Sequence, residues 1–463
     1  MNQNNISAAE LFLRVRELLI LPELEPKTRN KMMHDTLILC CHEGVKETKQ
    51  AFGNLFSQVD YLCKAHGIKV ADKIAIQTMR RHSNSQEPLS SEDLKYDARA
   101  LAIFISAVFG VDVPHELNVL IPHTNRPYQK GLEINNRRIR CIVKNWDSDF
   151  IRVDIDQDAD EEEYLVQLKD EENHIDHTYL WDILKEGMQL NLLDCQVKQP
   201  VITPRLIVVE PDYLVDISSI ATCFTAFGHH PLLYLLNQMK PRANTQATLL
   251  GNFAGAALDD IINTNGKYQM NETIKTNFRE KALEFCTCPW FDAKKFYTDA
   301  SLQAFNLQQV VDILFPRTAS QAQMSAFRGE SLYDRKKAIL EPSFVCEALG
   351  IQGRVDLMTT DCKLLVEQKS GRNMNIETHQ VDPGYHSYQL EPHYVQLLLY
   401  YGVLQHNFKL SNDRVNIRLL YSKYQPQDGL MVVAYYQKLF KEAIEYRNQL
   451  VAASFEIAKE GFE

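Results

Sequence analysis

The chain has 463 residues, of which 45% are hydrophobic and 24% are charged, and its formal net charge is −10. This composition is typical of a folded globular protein, and the negative charge argues against a protein that coats nucleic acid through bulk positive charge. A local basic channel can still bind DNA, because phosphate contacts depend on nearby charge.

Neither a membrane span nor a signal peptide is predicted. The sequence contains no apolar run of about 18 residues. Its first residues, MNQNNISAAELFLRVREL, have the pattern of an amphipathic helix and lack the basic and apolar regions of a signal peptide. We therefore expect a cytoplasmic protein, in which the ten cysteines are free thiols.

Hydrophobic periodicity divides the chain into three regions. Residues 1–117 have apolar residues at helical spacing, which predicts a helical region of unknown role. From residue 118 to residue 200 the period changes to two, and several short strands predict a small β-barrel similar to the OB type. Residues 201–463 contain helices, three short strand-like segments, a long helix and a further strand. That order predicts an α/β fold with a mixed sheet flanked by helices.

One strand of the predicted barrel alternates apolar and basic residues. The string RRIRCIVKNW places Ile139 and Cys141 on one face and Arg138, Arg140 and Lys144 on the other. The basic face is a candidate for contact with a nucleic-acid strand. An exposed polar face of an antiparallel sheet is an equally good interpretation of the same pattern.

Two strand-like segments of the third region carry residues suited to metal-assisted chemistry. GRVDL places Asp356 near the end of one strand, and LLVEQK places Glu367 and Lys369 on one face of the next. A hairpin would bring the two carboxylates together, and hard oxygen ligands select Mg²⁺ or Mn²⁺. Glu341, on the preceding strand, is a candidate third ligand. A lysine beside such a site can act on a water molecule or a phosphate, so these residues predict phosphodiester hydrolysis.

A spacing of this kind occurs by chance in many long sequences. Its simplest alternative interpretation is a surface ion pair between a strand carboxylate and a strand lysine. Here the residues lie on consecutive strand-like segments. The helix that follows has Gln396 and Tyr400 four positions apart, and hence on one face. Both observations favour a catalytic site over an ion pair.

These residues form the pattern E-x(14)-D-x(10)-E-x-K followed by Q-x(3)-Y. That pattern resembles the RecB-type branch of the PD-(D/E)XK nucleases, which have a fold like that of restriction endonucleases. The strings LEPSFVCEALGIQGRVDL, LLVEQKSGR and VQLLLYYGVL are most similar to the nuclease domain of the nuclease–helicases that process Okazaki-fragment flaps and resect DNA ends. A β-barrel before the nuclease domain is similar to the architecture of those proteins. The resemblance covers residues 201–463 well and residues 118–200 loosely.

The resemblance implies a DNA nuclease, dependent on Mg²⁺ or Mn²⁺, that acts on single-stranded or flap DNA in replication, repair or defence. The catalytic residues that it implies are Glu341, Asp356, Glu367, Lys369, Gln396 and Tyr400. The three acids would hold the metal, the lysine would act on the water and the phosphate, and the last two would support the site and contact the strand. Arg372, in LLVEQKSGR, is a further candidate contact for DNA.

A second interpretation is a degenerate nuclease fold that binds DNA or a partner without cutting. The four intact residues of the E…D…E-x-K pattern argue against it. Related chains continue into a helicase, whereas this sequence has no Walker A motif. We therefore expect a helicase or another motor, either downstream in a longer protein or as a separate subunit.

Two features depart from the family pattern. Such domains often have a histidine ligand on an early helix, and the matching position here is Gly255. Asp259 or Asp260 is a candidate replacement, but an acid on the surface of the helix is the favoured interpretation. Many relatives also hold an iron–sulfur cluster through one early and three late cysteines. Cys223 matches the first, yet no cysteine follows Lys369, so a cluster is not expected within this chain.

Overall fold

The computed structural model describes residues 6–21, 24–48, 52, 55–84, 88–126, 136–155, 163–225, 228–240, 244–264, 267–380, 388–410 and 415–460. Within these ranges the protein combines helices with several sheets, so the predicted α/β class is confirmed. The chain forms two compact units, one of Met1–Asp212 with Ala452–Glu463 and the other of Tyr213–Val451. No helix in the described ranges is long and apolar enough to cross a membrane.

Helices make up the N-terminal part of the first unit. They are α1 (Ala8–Ile20), α2 (Pro26–Val45), α3 (Leu55–Ala65), α4 (Val70–Asn84), α5 (Ser91–Phe109) and α6 (His115–Asn118). Both α1 and α5 begin with a capping box, in which Ser7 or Ser90 exchanges hydrogen bonds with the acid three positions later. The apolar faces of these helices share one core, which explains the helical spacing of the apolar residues.

The rest of the first unit is built on a seven-stranded sheet. The strands of this part are β1 (Arg138–Trp146), β2 (Phe150–Ile155), β3 (Tyr164–Gln167), β4 (Lys169–Asp170), β5 (Ile175–Asp176), β6 (Gln189–Leu193), β7 (Gln196–Lys198), β8 (Val201–Thr203) and β9 (Leu206–Val209). The sheet order is β7-β8-β3-β2-β1-β6-β9, and β4 and β5 pair separately. All pairs are antiparallel except β3 with β8. Because β8 and β9 belong to this sheet, it extends past residue 200.

The second unit contains eleven described helices. They are α7 (Ile217–Ala221), α8 (Leu232–Met239), α9 (Gln246–Asn263), α10 (Met270–Glu280), α11 (Ala282–Cys286), α12 (Ala293–Leu314), α13 (Ala319–Phe327), α14 (Met374–Thr378), α15 (Glu391–Phe408), α16 (Pro426–Gly429) and α17 (Gln437–Glu460), of which α17 ends in the residues of the first unit. Its described strands are β10 (Val215–Asp216), β11 (Phe224–Thr225), β12 (Gly228–His229), β13 (Ala338–Leu340), β14 (Ser343–Cys346), β15 (Ile351–Arg354), β16 (Leu357–Thr359), β17 (Leu364–Lys369), β18 (Asn416–Tyr421) and β19 (Leu430–Val432).

A five-stranded mixed sheet, ordered β13-β16-β17-β18-β19, is the centre of the second unit. Strands β17 and β18 are parallel and are joined through α15, whereas the other pairs are antiparallel. A parallel pair needs a crossover connection, and α15 supplies it. The short strands β14 and β15 pair with β10 in a separate sheet.

Helices cover both faces of the five-stranded sheet. The apolar side chains of α9 and α12 share a core with Leu364 and Val366 of β17 and with Leu420 of β18. Helix α15 packs against β17 and β18. This layered arrangement buries almost every residue of β17 and β18, including the polar side chains of Glu367, Gln368 and Arg418.

Candidate active site

Strand β17 carries two of the predicted site residues, Glu367 and Lys369. Alternation along a strand places both on the same side, the side from which α15 contacts them. Lys369 Nζ donates to Glu367 Oε1 at 2.7 Å and to Gln396 Oε1 of α15 at 2.9 Å. Gln368, between them, instead donates to Ser422 Oγ at 2.7 Å, and Ser422 in turn contacts α12. The E-x-K spacing therefore directs a carboxylate and an ammonium group to one place.

Asp356 lies where the chain passes from one sheet to another. The sequence predicts one continuous strand over GRVDL, but β15 ends at Arg354 and β16 begins at Leu357. Leu357 pairs with Val366, so Asp356 is one position beyond that pair and beside Glu367. Its Oδ2 accepts a hydrogen bond from the Gln368 backbone N–H at 2.6 Å. The predicted hairpin therefore brings Asp356 next to β17, although Asp356 itself is outside a strand.

Glu341 follows β13 directly and has a left-handed backbone conformation, with φ of 48°. Its N–H donates to the Asp356 carbonyl oxygen at 2.9 Å, which fixes the backbone beside the site. Its carboxylate forms an ion pair with Arg354 at 3.1 Å and is partly exposed. Left-handed conformations of residues other than glycine are uncommon and are often found at functional sites.

Tyr400 joins α15 to the chain just before Asp356. Its hydroxyl donates to the Arg354 carbonyl oxygen at 2.6 Å. Gly353 permits this approach, since a Cβ atom there would lie 2.9 Å from Tyr400 Cε1. The predicted pair Gln396 and Tyr400 thus contacts both strand segments that carry the site, through Lys369 and through Arg354.

A cavity of about 580 Å³ opens beside these residues. It is lined by Glu341, Asp356 and Lys369 with their neighbours, and by Gly255 and Asp259 of α9. A Cβ atom at Gly255 would meet no atom within 4 Å, so this position leaves open space in the cavity. Asp259, which sequence reasoning favoured as a surface acid, is half-buried in the cavity wall, whereas Asp260 is exposed and pairs with Thr273.

Four carboxylates, Asp259, Glu341, Asp356 and Glu367, form what we call the acidic cluster. Burial raises the pKa of Glu367 to about 8, and the Asp356 carboxylate adds to that rise. Burial also raises the pKa of Asp356. Asp259 has a pKa of about 7 because of its burial and because of the negative charges of Glu341 and Asp356. Several acids are therefore held together where their simultaneous ionisation is unfavourable.

The acidic cluster fits a divalent cation in its donor chemistry. Glu367 Oε2 is buried and has no hydrogen-bond partner among the described residues. A cation would satisfy that oxygen and remove the repulsion between the carboxylates. As the side chains lie, no group of three or more His, Cys, Asp or Glu in the described ranges is arranged to hold a metal. Glu341 instead contacts Arg354, and Glu367 contacts Lys369. Loading a cation would require these pairs to rearrange.

The basic residues predicted to contact DNA on β1 have partners within the protein. Arg140 forms two hydrogen bonds to Asp212, at 2.8 and 3.2 Å, and Lys144 contacts Asp154 at 2.6 Å. Arg138 is half-buried on the same strand and also has a partner. Carboxylates therefore neutralise two of the three basic side chains predicted on β1, Arg140 and Lys144.

Two further predicted positions lie in the second unit. Arg372 is exposed and pairs with Glu377. Cys223 is buried, and burial raises the pKa of its thiol to about 12. At neutral pH that thiol is protonated, so it lacks the reactivity of a thiolate.

Asp259 and His393 both line the cavity, although the sequence analysis favoured a surface position for Asp259 and did not select His393. His393 is in the first turn of α15, three positions before Gln396. Its i, i+3 spacing to Gln396 is a signal that places both on one helix face. Asp259 offers a weaker signal. In sequence it cannot be distinguished from its neighbour Asp260, and only the packing of α9 places it at the cavity.

Comparison with known proteins does not assign a family. No protein-family model matches the chain, and no curated protein matches it. A functional interpretation therefore depends on the geometry of the site and on the sequence patterns that it contains.

Proposed function

We propose that the chain is a divalent-metal-dependent nuclease that hydrolyses phosphodiester bonds in single-stranded or flap DNA. The observation that carries the proposal is the acidic cluster with Lys369 at its edge. Asp259, Glu341 and Asp356 of this cluster line a cavity large enough for a nucleotide unit, together with Lys369. A structural ion pair between Lys369 and Glu367 does not need two further acids with raised pKa values, Asp259 and Asp356, beside it.

Each residue of the site would have a distinct role in hydrolysis. Asp356 and Glu367 would hold the cation, and Asp259 and Glu341 would complete its oxygen ligands. A bound Mg²⁺ or Mn²⁺ supplies Lewis-acid polarisation of a phosphoryl oxygen and a more acidic bound water. Hydrolysis forms a bond between a water oxygen and phosphorus and breaks one ester P–O bond. The developing negative charge lies on the phosphoryl oxygens, where nearby positive charge is most effective.

Lys369 provides that positive charge. An ammonium group has three N–H donors, and two of them bind Glu367 and Gln396. The third is available to a phosphoryl oxygen or to the attacking water. Gln396 therefore acts as a positioning residue, because it restricts a flexible side chain to the cavity side of the sheet.

The topology supports assignment to the PD-(D/E)XK group. The segment β16–β17–α15–β18 places the D…E-x-K residues on a hairpin and the Q-x(3)-Y residues on the crossover helix. That is the order which the sequence resemblance implies. For the seven-stranded sheet of the first unit we propose an OB-like module. The ion pairs of Arg140 and Lys144 give no support to DNA binding on β1.

The proposal is tested by incubating end-labelled single-stranded and flapped DNA with the protein in Mg²⁺, in Mn²⁺ and in EDTA. Asp356→Asn and Lys369→Met should lower the cleavage rate by at least about 100-fold. Asp259→Asn should raise the metal concentration needed for half-maximal activity. Its neighbour Asp260→Asn is the matched control, since Asp260 is exposed and pairs with Thr273 rather than facing the cavity.

Two outcomes would count against the proposal in different ways. Metal-dependent cleavage that survives Asp356→Asn would show that the catalytic site lies elsewhere. DNA binding without cleavage under any divalent ion would favour the second interpretation, a fold that binds DNA or a partner without cutting.

A further inference from the structure

The cavity contains an imidazole that the proposed chemistry has not yet used. His393 lies in the first turn of α15, and its ring lines the cavity together with Lys369, Asp356 and Glu341. The residue is half-buried, and its ring contacts Tyr421 of β18 at the start of α15. A half-buried polar ring that lines a cavity can use one nitrogen to hold its position and the other to bind a molecule in the cavity.

One nitrogen is bound by Tyr421, the last residue of β18. His393 Nδ1 is 3.0 Å from the Tyr421 hydroxyl oxygen. Tyr421 is fully buried and is the register partner of Lys369 in the parallel pair β17–β18. The position of the imidazole is therefore tied to the same strand pair that positions the catalytic lysine.

The hydrogen bonds of the Tyr421 hydroxyl group determine which tautomer His393 adopts. The Tyr421 oxygen accepts a hydrogen bond from the Leu390 backbone N–H at 3.0 Å. A backbone N–H can only donate, so the hydroxyl proton of Tyr421 needs a different acceptor. The Asn373 side chain also hydrogen-bonds this oxygen, in the sense that lowers the pKa of Tyr421, so it too acts as a donor, and the acceptor left for the hydroxyl proton among the described residues is His393 Nδ1. A neutral imidazole that accepts at Nδ1 carries its proton on Nε2.

The Nε2–H group is available to bind a molecule in the cavity. In the described part of the chain, Nε2 has no hydrogen-bond partner. Burial and, to a smaller extent, the nearby Lys369 ammonium lower the pKa of His393 to about 4, so the ring is neutral at physiological pH. The cavity therefore contains a fixed, uncharged N–H donor near the flexible ammonium of Lys369.

We propose that His393 is a substrate-binding residue whose Nε2–H donates a hydrogen bond to a phosphoryl oxygen of the DNA strand in the cavity. This inference rests on the proposed nuclease function. A phosphoryl oxygen is an acceptor that fits, because it is anionic. The ammonium group of Lys369 lines the same cavity and can bind the same phosphate. A neutral ring with its proton on Nε2 is not a metal ligand through that atom, which separates this role from that of the acidic cluster.

Three substitutions at one position separate the functions of the two nitrogens. His393→Gln places an amide N–H near the position of Nε2, His393→Asn places one near Nδ1, and His393→Phe keeps the ring volume without either. Single-turnover and steady-state cleavage of a single-stranded oligonucleotide would be measured for each variant in Mn²⁺. The unfolding midpoint and the Mn²⁺ concentration for half-maximal activity would be recorded in parallel.

We expect His393→Phe and His393→Asn to lower kcat/KM by about tenfold to a hundredfold, the effect of a lost hydrogen bond to a charged group. His393→Gln should recover most of that loss, and the Mn²⁺ midpoint should stay unchanged in all three. Tyr421→Phe should lower kcat/KM by a smaller factor in the wild-type background and have no further effect on it in the His393→Phe background.

Other results would overturn the inference. Equal losses in the Gln and Phe variants, accompanied by equal drops in the unfolding midpoint, would indicate a purely structural ring. A large shift of the Mn²⁺ midpoint would identify His393 as a metal ligand instead. If all variants cleave like the wild type, His393 does not contact the substrate, although the proposed nuclease function is retained. If neither the wild type nor any variant cleaves DNA, the proposed function itself fails.

Discussion

Replacing Glu367 with glutamine should change how the stability of the metal-free protein depends on pH. Glu367 is 3% exposed, and burial together with Asp356 raises its pKa from the ordinary 4.5 to about 8. In the unfolded chain the same carboxyl ionises near its ordinary value. Glutamine has almost the same shape and can still accept the hydrogen bond from Lys369, but it carries no charge at any pH.

The direction of the effect follows from proton binding. Below pH 4.5 the carboxyl is protonated in both states, and its contribution to stability is fully present. Between pH 4.5 and about 8 the unfolded chain has released the proton while the folded chain still holds it. Stability therefore falls as pH rises through this window. Each pH unit corresponds to about 1.4 kcal/mol, so the loss by pH 8 amounts to about 5 kcal/mol.

The assay is urea unfolding followed by far-ultraviolet circular dichroism, in buffer with excess EDTA, at pH 5 and at pH 8. Wild-type protein should lose several kcal/mol of unfolding free energy between the two pH values, and Glu367→Gln should lose much less. Asp260→Asn, on the exposed side of α9, should follow the wild type. Saturating Mg²⁺ or Mn²⁺ at pH 8 should restore stability to the wild type, because a ligand that binds only the folded state stabilises it by mass action.

Parallel pH curves for Glu367→Gln and the wild type would refute the reasoning. They would mean that Glu367 ionises near its ordinary pKa in the folded protein, and hence that water or a rearranged Lys369 reaches it. A metal-induced stabilisation of equal size in both proteins would show that Glu367 is not among the ligands.

Three other changes test neighbouring contacts. Tyr400→Phe removes the hydrogen bond to the Arg354 carbonyl and should cost about 1 kcal/mol of stability in thermal unfolding, with a reduced cleavage rate. Gly353→Ala places a Cβ 2.9 Å from the Tyr400 ring and should destabilise by about 1–3 kcal/mol; unchanged calorimetric unfolding would show that the ring moves away freely. Gly255→His fills open space in the cavity, so the protein should fold normally and bind Mn²⁺ more tightly than before in a titration of activity, with a smaller gain for Mg²⁺.

Local periodicity predicted the parts of the site that depend on one element. The alternation in LLVEQK places Glu367 and Lys369 on one side of β17, and the four-residue spacing on α15 places Gln396 and Tyr400 on one face. Both arguments need only the geometry of a strand or a helix. The α/β class followed in the same way, from the succession of periods along the chain.

Other features depend on contacts that no local pattern reports. The string IQGRVDLMT was predicted as one strand-like segment, yet the chain changes sheets between Arg354 and Leu357. That change depends on which partners β15 and β16 find. Arg140 looked available for DNA because Asp212, its partner, is 72 residues away. Asp259 joined the site only through the packing of α9, so its role could not be distinguished in sequence from that of Asp260.

The left-handed backbone at Glu341 opposes the stability of the fold to the nuclease activity that we propose for this residue. A glycine at this position would adopt a φ of 48° without the steric cost of a Cβ atom, a gain of about 1 kcal/mol. Selection for folding alone would therefore favour loss of this glutamate. Laboratory evolution for thermal stability without a demand for cleavage should replace Glu341 by glycine or asparagine early, whereas selection that maintains the acidic cluster should retain the strained residue.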